Sequence, residues 1–353
     1  AGTYTSLSAT RLHESDPGPS GYLWTSTPLV GDGVAEIDTS GSFKPAAAGL
    51  YEIKAVATDD PEVWGSALIL VTPAVSAISG IPEGLRNTRH MAMAQLSDGR
   101  IANIGGEDDK GTAKKETWLY ESDSGKFSVG PALAAPRTRS KAVGLADGRV
   151  LMIGGTGTRI GPDGKDHPGY LPSAEFLDFQ KNERIPLPIS EGLQGRLPYW
   201  HAGGSLTVLK DGRVLIAGGG KNAEAREGPS TLFNPGTKVF ALVDGPEIGM
   251  DHRAVRLEDG RVFIFGGMEP GELRPSAKIW VFDPQTGRVV LKGTMRQARA
   301  GHTATLLPDG KILMAGGISK GIGKGILASG ELYDPVTGMS GLTGKLKRAH
   351  TGH

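Results

Sequence analysis

The sequence predicts an all-β chain: a β-propeller of repeated four-stranded blades, preceded by a small β-sandwich. Three observations carry this. An eleven-residue element recurs five times. With 54 glycines and 23 prolines in 353 residues and no collagen period, the chain calls for many tight turns between short strands. The first seventy or so residues take no part in the repeat.

The recurring element runs Leu96-Ser-Asp-Gly-Arg-Ile-Ala-Asn-Ile-Gly-Gly106 in its first copy and Leu257-Glu-Asp-Gly-Arg-Val-Phe-Ile-Phe-Gly-Gly267 in its fourth. In all five copies the first Gly of the closing pair follows the Asp by seven positions: Asp98 to Gly105, Asp147 to Gly154, Asp211 to Gly218, Asp259 to Gly266 and Asp309 to Gly316. Asp-Gly between apolar runs is expected to form a two-residue hairpin with positive φ at both positions. The run that follows reads as a short buried strand. Its Gly-Gly end is expected where neighbouring backbone leaves no room for a Cβ.

Further along each copy comes an aromatic or apolar residue, an acidic or amide residue and a turn, as in Phe282-Asp-Pro-Gln-Thr-Gly287 and Tyr333-Asp-Pro-Val-Thr-Gly338. Each unit therefore reads as strand a, hairpin, strand b, loop, strand c, turn and strand d. The five Asp residues stand 49, 64, 48 and 50 residues apart. With Arg299-Ala-Gly-His302 before a strand a, the pattern resembles the kelch-repeat β-propeller family over residues 74–353, although the regular Trp at the end of strand c is missing. Five repeats are visible. Lys347-Arg-Ala-His-Thr-Gly-His353 repeats Arg296-Gln-Ala-Arg-Ala-Gly-His302 and is expected to open a partial sixth blade, with residues 74–82 as its outer strand and the natural chain continuing beyond His353.

Residues 1–73 carry their own strand signals. Gly49–Thr58 alternates apolar and polar residues, and Val63–Val71 is a second strand ending at Thr72-Pro73. With Trp24 upstream, the segment resembles a bacterial immunoglobulin-like β-sandwich domain.

Strands alternate in direction, so the a–b and c–d turns share one face of the propeller and the b–c and d–a connections the other. All the length variation falls on the second face, where binding residues usually sit on a rigid scaffold. Blade two is longer than its neighbours in both connections. One insertion supplies Arg159, Asp163, Lys165, Asp166, His167 and Tyr170, the other Arg196, Tyr199, Trp200 and His201. The link residues Arg89, His90, Arg137, Arg139, Arg196, His201, His252, Arg253, Arg299 and His302 are expected to ring the channel mouth on that face. A set of guanidinium groups suits a carboxylate or a sulfated sugar. The competing expectation is that the same Arg and His residues hydrogen-bond loop carbonyls.

Lys+Arg 39 against Asp+Glu 38, with no run of like charge, argues against nucleic acid as a partner. No apolar stretch is long enough for a membrane span, and Ala1-Gly2-Thr3 does not open a signal peptide. Within the resembled family, galactose-oxidase-like members use copper with a Tyr crosslinked to Cys; this chain has no Cys. Glu107-Asp-Asp109 and Asp163-Gly-Lys-Asp166 lack full calcium-ligand spacing, and no cofactor is expected. The composite expectation is a non-catalytic binding module of a bacterial extracellular or cell-surface protein that engages a glycan or protein through this loop face. A structural subunit of a virion, filament or surface assembly and a mutarotase-like carbohydrate-active kelch enzyme are the alternatives.

Overall fold

The computed structural model describes 5–6, 22–30, 35–37, 42–45, 49–57 and 64–71 in the N-terminal part. Beyond it, 80–160, 166–171, 173–187, 201, 203–220, 227–272, 274–321, 324–346, 349 and 351 are described. The chain divides into two compact units, 1–78 and 79–353. The first contains two antiparallel three-stranded sheets. One orders Tyr22–Val30, Gly49–Ala57 and Trp64–Val71; the other orders Thr5–Ser6, Ser42–Pro45 and Ala35–Ile37.

The second unit is a five-bladed β-propeller. Each blade is a four-stranded antiparallel sheet in the order a-b-c-d, as in blade four: Arg253–Arg256, Val262–Phe265, Lys278–Asp283 and Arg288–Thr294. Strand b is short and apolar because it is covered on both sides: Val262, Phe263, Ile264 and Phe265 are all fully buried. Successive residues point to opposite faces. Phe263 and Phe265 therefore pack with Ile312, Met314 and Tyr333 of blade five, and Val262 and Ile264 with Leu215 and Ala217 of blade three. Equivalent cores join blades one to two and two to three. The core of the unit is thus a series of inter-blade layers, each built by the two-residue period of two neighbouring sheets.

The a–b hairpin differs from the expected two-residue turn. Gly99 donates its backbone N–H to Leu96 O at 3.0 Å and Leu96 to Arg100 O at 2.8 Å, so Ser97-Asp98-Gly99 forms a three-residue loop. Only the Gly has positive φ (88° at Gly99). Asp98 instead uses its carboxylate, Oδ1 accepting from the Arg100 backbone and Oδ2 from the Arg100 guanidinium. A type I turn followed by a left-handed Gly satisfies the hairpin while the side chain fastens its far strand.

The Gly-Gly pair is where the blades are latched together. Gly267 donates to Arg299 O at 2.8 Å and Gly106 to Arg137 O at 2.9 Å, so each strand b end holds the link to the next blade. A Cβ at Gly267 would lie 2.7 Å from Met250 O, with φ +87°. Such space accepts only glycine.

Residues 74–79, most of the expected outer strand of a sixth blade, lie outside the described residues; its remaining residues 80–82 are not in a strand, and 83–87 form turns.

Candidate functional site

The d–a links end in a repeated backbone feature. Eight residues before each hairpin Asp stand His90, Arg139, Gly203, Asp251 and Gly301, with φ of 54°, 58°, 69°, 61° and 62°. Neighbouring copies are bonded: Arg139 N donates to His90 O at 2.9 Å, Asp251 N to Gly203 O at 2.8 Å and Gly301 N to Asp251 O at 2.9 Å. This left-handed rim turns each link into the channel. Glycine fills two positions; His90, Arg139 and Asp251 hold a conformation that L-residues adopt at a cost.

Inside the rim, a cavity of about 570 Å³ opens at the channel mouth, and every blade contributes to its wall. Among the described residues its charged groups are His90, Arg139, Lys141, Asp251 and Arg253. Lys141 and Arg253 occupy the same repeat position, the first residue of strand a in blades two and four. Burial pushes the Lys141 ammonium below its ordinary value, the charge of Arg253 pushes it further, and Asp251 partly restores it. Burial also lowers Arg253, again countered by Asp251. At the rim His90 Nδ1 lies 2.8 Å from Glu107 Oε1. Burial tends to raise that carboxyl, but hydrogen bonds from His90 and Thr138 and the nearby charges hold it below the usual range. Ser140, 4% exposed, also lines the cavity, and its Oγ has no hydrogen-bond partner.

The expected ring of link residues therefore separates into two sets. His90, Arg139 and Arg253 line the mouth. Arg137 and Arg299 do not: both are withdrawn into the blade walls, which corrects their reading as ligand-binding groups. Arg137 Nη1 donates to Gly154 O at 3.1 Å and Ser173 Oγ at 3.0 Å, while Nη2 pairs with Glu175 at 3.4 Å. Arg299 repeats this with Gly316 O at 3.0 Å, Ser329 O at 2.9 Å and Glu331 at 3.6 Å. Each ties the link to the ends of strands b and c of its own blade. Burial lowers both guanidiniums, and the Glu partners counter it.

His201 is likewise corrected from ligand candidate to wall residue, 2% exposed. Its Nδ1 donates to Gly218 O at 2.8 Å and its Nε2 accepts from Thr231 Oγ1 at 3.2 Å. His252 donates from Nδ1 to Gly249 O at 2.8 Å and accepts from Ser205 Oγ at 2.9 Å, joining blade four's link to blade three. Burial lowers both imidazoles to about 4, partly opposed by these backbone hydrogen bonds. His302 is fully buried. Arg89 is exposed and reaches the Asp108 and Asp109 carbonyls at 3.4 Å.

The first blade-two insertion, expected as a loop, contains an antiparallel hairpin, Thr156–Ile160 with Asp166–Tyr170, and Arg137–Thr138 adds a third strand. Arg159 stands opposite His167, and Ile160 opposite Asp166. The side chains of Arg159, Asp166, His167 and Tyr170 lie outside the described part, as do Asp163 and Lys165 and, in the second insertion, Arg196, Tyr199 and Trp200. Sequence reasoning missed Lys141, Ser140 and Asp251 as site residues. Aligning the repeats by column exposes them: six positions before the hairpin Asp stand Ala92, Lys141, Ser205, Arg253 and Thr303, so two cations share one column.

Comparison with known proteins places this architecture. The chain is 26% identical to a galactose oxidase of Gibberella zeae over 245 residues, covering 64% of this chain and 33% of that protein. It is 29% identical to an F-box/kelch-repeat protein of Arabidopsis thaliana over 220 residues, covering 52% and 43%. A solved fungal alcohol oxidase of the AA5 family, in complex with copper, superposes with a TM-score of 0.53 at 16% identity, covering 94% of this chain and 68% of that one. The fold is a kelch/galactose-oxidase-like propeller. No protein-family model matches the chain, and it spans less than half the length of these curated relatives.

The chain has no Cys, and among the described residues no three of His, Asp and Glu gather in a metal-binding group. The mouth is instead rich in cations. Among the described residues no helix is long and apolar enough to cross a membrane.

Proposed function

We propose that this propeller is a non-catalytic binding module of an extracellular or cell-surface protein, engaging a glycan or protein through the face that carries the b–c and d–a connections. The observation that carries the reading is the channel mouth: five blades converge on one cavity, and three of its rim residues, His90, Arg139 and Asp251, are held left-handed where glycine is cheaper. Backbone strain maintained at a concave, charged mouth is a feature of sites that present side chains to a ligand. The added sheet of blade two enlarges the same face. We read the N-terminal unit as an immunoglobulin-like spacer. Thr351, one repeat beyond Ala300, lines the same cavity, and we take it as the opening of a sixth blade.

A glycan array probed with the intact chain, alongside sizing of the isolated chain, tests this reading. Binding that falls on Tyr199→Ala/Trp200→Ala substitution or on Arg139→Ala substitution, with melting unchanged, supports it. Ligand-free self-association through this face favours a structural subunit and overturns it.

A further inference from the structure

We infer, resting on that reading of the face, that the channel mouth is a site for a hydroxylated carboxylate of the uronic-acid type, with Lys141 and Arg253 holding the carboxylate and Asp251 taking up hydroxyls. The reasons are geometric and electrostatic. Lys141 and Arg253 start the innermost strands of blades two and four and line one cavity, where each is half-buried. They repel each other across it. Asp251 is the carboxylate among the cavity's described lining residues, against Arg139, Lys141 and Arg253 as cations. An anion placed between Lys141 and Arg253 converts their repulsion into two charge-assisted hydrogen bonds in a partly desolvated setting.

The remaining groups select what carries the anion. Asp251 can only accept when ionised, so within a cationic site it reads donors, and sugar hydroxyls are donors. Ser140 lines the cavity with its Oγ buried. The volume of about 570 Å³ accommodates a sugar ring with a neighbour and falls within the range of small-molecule pockets. Sulfate carries no donor for Asp251, and neutral sugars carry no charge to match the paired cations.

Isothermal titration of the intact chain with glucuronate, its methyl ester, glucose and inorganic sulfate tests the site. Glucuronate should bind at least ten-fold tighter than the ester and glucose, and sulfate should not compete at equal concentration. Lys141→Met and Arg253→Gln should each weaken glucuronate at least ten-fold at unchanged melting temperature. Equal binding of glucuronate and its ester overturns the carboxylate assignment without requiring any variant to fold. Sulfate competing as well as glucuronate does so too, since it marks a general anion site. A glycan retained on the array by both variants and lost in Arg139→Ala leaves the binding face standing while removing this site. A chain that binds no glycan, glucuronate included, but self-associates removes both.

Discussion

Arg137 and Arg139 stand two residues apart in one link, and they have opposite fates. Arg137 is 2% exposed in the wall, fixed to the ends of strands b and c and paired with Glu175. Arg139 sits on the left-handed rim and lines the open mouth. The same division recurs in blade five, where Arg299 is locked to Glu331 while the rim position is Gly301. Wall cations conserve the geometry of the blade; Arg139 stays exposed at the concave mouth. Residue type and proximity in sequence do not separate the two roles. The backbone between them does.

Gly267→Val gives the strongest test of the wall. A Cβ there meets Met250 O and His252 within 3 Å at φ +87°, so a β-branched residue should cost on the order of 4–5 kcal/mol. Thermal melting that matched the wild type would remove the latch from this account. Arg299→Met strips Glu331 of its buried cation and should cost about 3–5 kcal/mol; adding Glu331→Leu should recover only part of it, because Glu331 also accepts from the backbone N–H groups of Arg296 and Gln297. Denaturant titrations of the single and double variants measure this directly, and a single variant as stable as wild type would place the pair among the dispensable ones.

The buried histidines make the wall sensitive to acid. His201 and His252 stay neutral in the fold to about pH 4, whereas unfolded His protonates from 6.5. Between those values the unfolded chain binds more protons, so stability falls as pH falls, by about 1.4 kcal/mol per pH unit for each His. Above pH 6.5 this contribution is complete. Melting temperature followed from pH 7 to 4 should show the slope, and His252→Asn should remove about half of it. A flat profile would show that the two rings are not held neutral.

The smallest effect belongs to the mouth. Asp251→Gly relieves a left-handed non-glycine residue and should leave melting unchanged or raise stability by up to ~1 kcal/mol, while lowering binding at the channel. A substantial loss of stability would instead make Asp251 part of the wall and erase the distinction between the two regions.

Much of the propeller was legible in the chain because its physics is local. Asp-Gly and Gly-Gly at constant separation fixed strands a and b, and Asp-Pro-type turns fixed c and d, all of which the five sheets reproduce. The turn type was misjudged, since whether Asp98 takes positive φ depends on its carboxylate finding the Arg100 backbone, a bond invisible in a dipeptide signature. The candidate site was legible only in part. Arg139 was named, but Lys141 was passed over, because a lone Lys at the start of a strand carries no motif until its repeat column is set beside Arg253.

By itself the sequence determined the number of visible repeats, the order of strands within a blade and the face on which chain length varies. These follow from turn chemistry and the two-residue period, which act over a few neighbouring residues. Only the tertiary structure decided which cations are buried and which converge. Glu175 and Glu331 lie about thirty to forty residues from the arginines they hold, and Lys141 meets Arg253 from two blades away. Charge acts through space, and the ring brings together residues that the chain keeps far apart.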